Sequence, residues 1–212
     1  MPPLGLALTA DHAIFLDYRA DKYLMLEPEL NTAVINFFDT REIPHRDLCR
    51  IATALGTELT TTQLLTMVVA EPATTFRSRP TLPCATGASK IAALGHWAIA
   101  SIMLKVGGLA WSLASLERLG SRIPRADVVS DDIAAIASAH DWLSRHISAH
   151  DACLLRSLAL ARHAFHRRMG VRLTIGVKVY PFSAHCWVSA GDVVLNDDPD
   201  NVAPFTPILA LP

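Results

Sequence analysis

The chain has 212 residues, enough for one large domain or two small ones around a real apolar core. Lys plus Arg number 19 against 20 for Asp plus Glu, so neither sign of charge dominates, which disfavours nucleic-acid binding through a basic face. Four cysteines (Cys49, Cys84, Cys153, Cys186) are scattered without a CxxC pair, which argues against a disulfide framework or a structural zinc site and fits a reducing cytoplasm.

Met1-Pro2-Pro3-Leu4 lacks a basic segment followed by a long apolar core, so no signal peptide is expected. Residues 1–70 then read as three short strands followed by three helices. The strands are Leu6-Ala7-Leu8-Thr9, Ala13-Ile14-Phe15-Leu16 and Lys22-Tyr23-Leu24-Met25-Leu26, with turn chemistry at 17–21. Glu27-Pro28-Glu29 opens a helix, with Pro in its first turn and acids near the positive end of its dipole. Leu30, Val34, Ile35, Phe37 and Phe38 form its apolar stripe. Two shorter helices are predicted over 45–55 and 60–69, with Gly56 as the stop between them.

Residues 71–88 carry Pro72, Pro80 and Pro83 among small polar residues and read as a linker between a 1–70 domain and an 89–212 domain. Mean hydropathy is +0.29, and the excess lies in 91–104, uncharged until Lys105. That run is shorter than the ~20 apolar residues that span a bilayer, so it predicts a buried core helix, or an apolar face kept for a protein partner, and no membrane span. Helices are also predicted over 109–119 and 130–147, the latter capped by Ser130, with 122–127 as a connector. His140, His146, His150, His163 and His166 lack an HExxH pattern and a third ligand, so they are expected at the solvated surface, with no metal or other cofactor.

The last third is where chemistry gathers. Asp151 is placed as an N-cap, which puts Cys153 in the first turn of an apolar-periodic helix. Free backbone N–H groups and the helix dipole there favour a thiolate. Gly170 is expected to end that helix. Residues 171–179 alternate as a strand with one buried face, and 184–188 and 193–197 make two more. If Ser189 pairs with Val193 around the loop Ala190-Gly191-Asp192, His185 lies opposite Asp197 with Cβ atoms about 4.5–5.5 Å apart. A slip of one residue would bring Asp198 there instead. Cys186 points to the other strand face and is expected in the core, and Asp198 and Asp200 are read as turn residues around Pro199. Cysteine, histidine and aspartate then form a nucleophile, base and orienter. His185 takes the thiol proton, Cys153 attacks a carbonyl, Asp197 fixes the imidazole tautomer, and the Cys153 backbone N–H is an oxyanion donor.

These residues carry a resemblance. Cys153-Leu154-Leu155-Arg156-Ser157-Leu158-Ala159-Leu160, Pro181-Phe182-Ser183-Ala184-His185-Cys186-Trp187-Val188 and Val194-Leu195-Asn196-Asp197 look like the lasso-peptide maturation B protein, a family of transglutaminase-like, papain-type fold. The likeness covers roughly 91–207 and departs from the family at Cys186, where Ala or Ser is usual. Residues 1–70 resemble, more loosely, the PqqD-like winged helix-turn-helix that recognises a peptide leader. The implied fold class is α+β: that winged helix-turn-helix, a helical segment, and a helix-plus-antiparallel-sheet domain. DNA binding, the other use of a winged helix, is disfavoured because 60–69 holds no Lys or Arg. Leader capture would use the third strand as an open edge beside the 30–38 helix, with Tyr23, Leu24, Met25 and Leu26 as the edge residues. Half of these must also serve the core, since strand side chains alternate.

The resemblance implies a cytoplasmic leader peptidase acting on a lasso precursor peptide. Its partner would be an ATP-dependent cyclase similar to asparagine synthetase, which the 91–104 surface could contact. Two rivals remain: a transglutaminase-type acyltransferase using the same three residues, and a non-catalytic leader-binding chaperone.

Overall fold

The computed structural model describes residues 4–69, 76–77, 83–126, 128–147 and 152–212. Three strands, β1 (Leu4–Leu8), β2 (Ala13–Asp17) and β3 (Lys22–Met25), form an antiparallel sheet in the order β1-β2-β3. Helices α1 (Pro28–Thr40), α2 (His45–Leu55) and α3 (Thr61–Met67) follow. The local chemistry is as the sequence suggests: Pro28 sits in the first turn of α1, Gly56 takes the left-handed conformation after α2, and Thr60 with Gln63 closes a capping box on α3.

This sheet is buried on both faces, which is why β1 and β2 read as nearly continuous apolar runs. Leu4, Leu6, Ala13 and Phe15 pack against Leu30, Val34, Phe37, Ile51 and Leu64 of the three helices. Ala7, Ile14, Leu16 and Tyr18 on the other face join the core of the C-terminal elements. Gly5 permits this closeness, since a side chain there would strike the Ile208 carbonyl and the Tyr18 hydroxyl.

The C-terminal elements are α4 (Gly87–Gly120), α5 (Asp131–His146), α6 (Cys153–His166), β4 (Arg172–Lys178), β5 (Ser183–Ala190), β6 (Val193–Val194), α7 (Pro199–Val202) and β7 (Thr206–Leu211). The four strands are antiparallel in the order β6-β5-β4-β7. Leu173, Ile175, Val177, Cys186 and Val188 face the layer of α4, α5 and α6. Trp187, Val194 and Val202 fill the opposite side with Phe76 and Phe205. The expectation of one buried face on β4 is therefore corrected: its five central residues are all buried, because α7 and the Phe76 segment cover the second face.

Other expectations are corrected as well. The helices predicted over 91–104 and 109–119 are one run, broken only by the non-helical backbone of Gly108. Ala93, Trp97 and Ala100 are core, yet Ile91, Leu94, Ile102 and Val106 are exposed, so α4 is a half-buried helix. It is also long and apolar enough to cross a membrane by length and composition, with 28% of its most apolar stretch buried. The positive φ after α6 belongs to Arg168 and not to Gly170. Strand β7 had no counterpart among the predicted elements. The predicted linker and the Asp151 cap lie largely outside the described residues; α4 starts within the linker at Gly87, and Ala152 holds the cap position of α6 without a side-chain bond.

Candidate active site

Cys153 is the first residue of α6, half-buried, with the free N–H groups of a helix start around it. A buried network fixes this end of α6 to β5. Ser157, one turn along the helix, donates to the Cys186 carbonyl (2.8 Å) and accepts from the Asn196 amide (2.9 Å), while Asn196 Oδ1 accepts from the Val188 N–H (2.8 Å). Three segments, α6, β5 and the turn after β6, thus meet at one hydroxyl.

His185 comes from the first half of β5 and donates through Nε2 to Asp197 Oδ2 at 2.7 Å, which leaves Nδ1 as the ring nitrogen open to the Cys153 thiol. Asp197 is held in turn through Oδ1, which accepts from the Asp198 N–H (2.7 Å) and the Asn201 amide (2.8 Å). Phe205 lies against the imidazole (5.3 Å between centroids), with Trp187 beside it (6.2 Å). Gly176 pairs with His185 across β4 and β5, and a Cβ there would come within 2.8 Å of the Trp187 ring and 2.9 Å of Phe205. The glycine leaves room for the aromatic floor beneath the histidine.

The hairpin expectation is corrected. Ala190 pairs with Val193 and Ser189 with Val194 around a two-residue loop, Gly191-Asp192, so a continued ladder would set His185 opposite Asp198. The ladder stops short of that point: after β6 ends at Val194, one more bond, from the Leu195 N–H to the Val188 carbonyl (2.8 Å), closes it, and the chain bends into α7. Asp198 accepts from the Asp200 N–H as the cap of α7, and it is the carboxylate of Asp197 that reaches His185. The contact is thus made by a bend, and the three-residue-loop argument for it does not hold. Sequence reading gave no role to Ser157, Asn196 or Asn201. A serine on the apolar stripe of the cysteine helix was a legible sign, because a buried hydroxyl needs a partner.

Electrostatics favour an ion pair. Burial alone would raise the Cys153 thiol, but the hydrogen bond and charge of His185, with the backbone groups of Cys186 and Leu154, outweigh it and hold the thiol below its ordinary value. His185 is pushed up to about 9, first by its bond to Asp197 and then by its bond to Cys153, against the opposing effect of burial. Burial would raise Asp197, yet bonds from His185, Asn201 and Asp198 bring it down to about 2. At neutral pH His185 is therefore protonated and Asp197 ionised, and Cys153 is drawn toward the thiolate, the direction that suits a cysteine nucleophile. Cys186 is buried beside it, and desolvation pushes its thiol far up, so it stays protonated.

A family model for the transglutaminase-like superfamily matches residues 98–210, more than half of the chain. The chain belongs to the transglutaminase-like superfamily. This member is 44% identical over 48 residues to the microcin J25-processing protein McjB of Escherichia coli. The matched stretch is 23% of this chain and 23% of McjB, so the chain spans under a quarter of the length of that relative. Both findings support the resemblance to a lasso-peptide maturation B protein. No solved structure gives a significant match.

The four predicted leader residues divide between two faces. Leu24, Met25 and Leu26 line a cavity of about 610 Å³ at the open edge of β3, closed by Glu27 and Leu30 and by Arg46, Cys49, Arg50 and Leu55 of α2. The wall opposite the strand is thus mainly α2, where the sequence pointed to the 30–38 helix. Tyr23 faces the other way and meets Phe182 edge-on at 5.4 Å. Burial, then the neighbouring Cys186, Asp21 and Cys153, push its hydroxyl up to about 12.

The expectation of solvated histidines holds for His146 and His166, which are exposed, is corrected for His140 and His163, and for His150 falls outside the described residues. His140 and His163 are buried and share a 3.2 Å hydrogen bond, and His96 stacks on His163 at 4.5 Å. Burial lowers His140 to about 3 and His96 and His163 to about 4, so the cluster is neutral at pH 7. Among the described residues no group of three or more His, Cys, Asp or Glu could hold a metal ion.

Proposed function

We propose that the protein is a cysteine peptidase that removes the leader from a lasso-peptide precursor, with Cys153, His185 and Asp197 as its catalytic residues. The observation that carries this is the 2.7 Å hydrogen bond of His185 to Asp197, with the imidazole lowering the Cys153 thiol at a helix start packed on an antiparallel sheet. The thiolate attacks the scissile carbonyl carbon, and the Cys153 backbone N–H stabilises the oxyanion. Imidazolium gives its proton to the departing amine, leaving a thioester on Cys153 and a free core. Water, deprotonated by His185, then releases the leader as a carboxylate.

The 1–70 segment is proposed as a PqqD-like leader-recognition domain, 71–88 as a linker and 89–212 as the protease domain. The open edge of β3 and its cavity suit an added peptide strand, with Leu24, Met25 and Leu26 supplying side-chain contacts. Arg46 and Arg50 on the far wall would favour an acidic leader residue, although Arg50 already lies near Glu27, Glu29 and Asp47. The freed amine is proposed to pass to an asparagine-synthetase-like cyclase in the cytoplasm. Ile91, Ile102 and Val106 on α4 offer that partner an exposed apolar surface.

Incubation with the precursor separates this reading from its rivals. Hydrolysis gives leader and core masses that sum to the precursor plus one water, and Cys153→Ala abolishes both. An acyltransferase instead joins the leader to an added amine. A non-catalytic chaperone leaves the precursor whole, and either result would overturn the peptidase reading.

A further inference from the structure

Phe76 and Arg77 belong to the stretch between the N-terminal helices and α4, yet they are held against the C-terminal sheet. Strand β6 is an edge of that sheet, and Arg77 joins it in a single parallel bridge to Val193. The Arg77 N–H donates to the Asp192 carbonyl at 2.7 Å. Its guanidinium meets the Asp192 carboxylate through Nε (2.6 Å) and Nη2 (2.8 Å), a two-pronged pair at the turn between β5 and β6. One residue back, the Phe76 ring meets the Trp187 ring edge-on at 6.3 Å.

Trp187 is 1% exposed, and among the described residues its indole N–H has no hydrogen-bond partner. No polar bond fixes that ring, so its orientation depends on what packs around it. Gly176 leaves the space it fills, and Val194, Val202 and Phe205 share its small core. Phe76 is the one member of that core supplied from outside the C-terminal elements. Trp187 in turn lies two residues from His185 on the same face of β5, its ring 6.2 Å from the imidazole and tilted by only 23°. The contacts therefore run from Asp192 through Arg77 and Phe76 to Trp187 and His185. An imidazole that must hold Asp197 and also meet a thiol tolerates little displacement. We propose that Phe76, pinned by Arg77, is a positioning residue that holds the Trp187 ring against His185 and so keeps the imidazole aligned for Cys153. This rests on the catalytic role given to His185 above. It makes the segment joining the two halves of the chain a working part of the peptidase.

The test uses the full chain with Phe76→Ala, Phe76→Tyr and Arg77→Ala. Alkylation of Cys153 by iodoacetate is followed across pH, and cleavage of the precursor gives kcat and KM separately. The alkaline limb of the wild type, near 9, belongs to His185. In Phe76→Ala a loosened imidazole bonds Asp197 less well, so that limb moves down by about half a unit or more. The same variant loses about tenfold or more in kcat while KM stays within about twofold, because the cavity beside β3 is untouched. Phe76→Tyr keeps the ring and stays within about twofold of the wild type in both readings. The Arg77 side chain is 67% exposed, so Arg77→Ala keeps the fold. It shifts both readings the same way by less, about threefold in kcat. Unchanged readings in Phe76→Ala or in Arg77→Ala, or a loss confined to KM, overturn the positioning role alone. A wild-type Cys153 that alkylates with no alkaline limb overturns the catalytic reading of His185, and this proposal with it.

Discussion

Replacing Asp197 with Asn keeps the size of the side chain and removes its charge. His185 stands at about 9 against an ordinary 6.5, with the bond to Asp197 as its first cause. At about 1.4 kcal/mol per pKa unit this is roughly 3 kcal/mol of preference for imidazolium. Both side chains are about one-fifth exposed, so screening removes only part of that energy. The variant should therefore lower the pKa of His185 by about one unit or more. Iodoacetate, an anion, is drawn to a thiolate beside an imidazolium, so its rate against pH reports both groups. The wild type should show an acid limb set by Cys153 and an alkaline limb near 9 set by His185. In Asp197→Asn the alkaline limb should move down, and peptide cleavage should fall by on the order of 10³-fold or more. An alkaline limb that stays in place would refute the assigned role of Asp197.

Three further outcomes follow from the geometry. Ser157→Ala leaves the Cys186 carbonyl and the Asn196 amide without their bonds, and should cost about 1–3 kcal/mol in denaturant unfolding; a loss under a few tenths would mean the network carries little. Gly176→Ala pushes into Trp187 and Phe205 and should cost about 1–3 kcal/mol while disturbing the His185 imidazole, read from its proton resonances and the alkylation rate; an unchanged resonance would contradict the aromatic-floor role. The buried histidines make the fold acid-sensitive. Their folded pKa values near 3–4 lie below the unfolded 6.5, so the unfolded chain binds more protons between these limits and stability falls as pH drops through that window. The slope should approach about 1.4 kcal/mol per pH unit for His140, and His140→Leu should flatten it; an unchanged slope in the variant would argue against a neutral buried imidazole.

Much of this molecule is legible in its sequence where one local rule decides. Pro28, Gly56, Thr60 and Ser130 punctuate helices by capping and backbone preference alone, and their elements begin or end within a residue or two of expectation. Cys153 at a helix start and His185 on a strand are likewise local statements. What escaped depends on distant partners. His140 on α5 and His163 on α6 look like surface residues until α4, α5 and α6 pack together, and their burial is satisfied by each other. The alternation of β4 is real, but the covering of its second face by Trp187, Phe205 and Val202 is a tertiary fact. The His185–Asp197 contact shows the same limit. Hairpin parity gave the wrong loop, because pairing goes no further than the Leu195 N–H on the Val188 carbonyl and a bend stabilised by Asn196, Asp198 and Asn201 delivers the carboxylate. Strand β7 holds two prolines' worth of ambiguity, with Pro207 inside it and Pro204 just before, and only its pairing with β4 makes it a strand.

The central claim is that Cys153 becomes acylated by the leader. Rapid acid quenching of the protein with its precursor, followed by intact mass, tests it directly. The account predicts a species heavier than the protein by the leader minus one water, mapped to Cys153 and lost in Cys153→Ala. Leader release by Cys153→Ala at the wild-type rate, with no adduct on the wild-type protein, would contradict it.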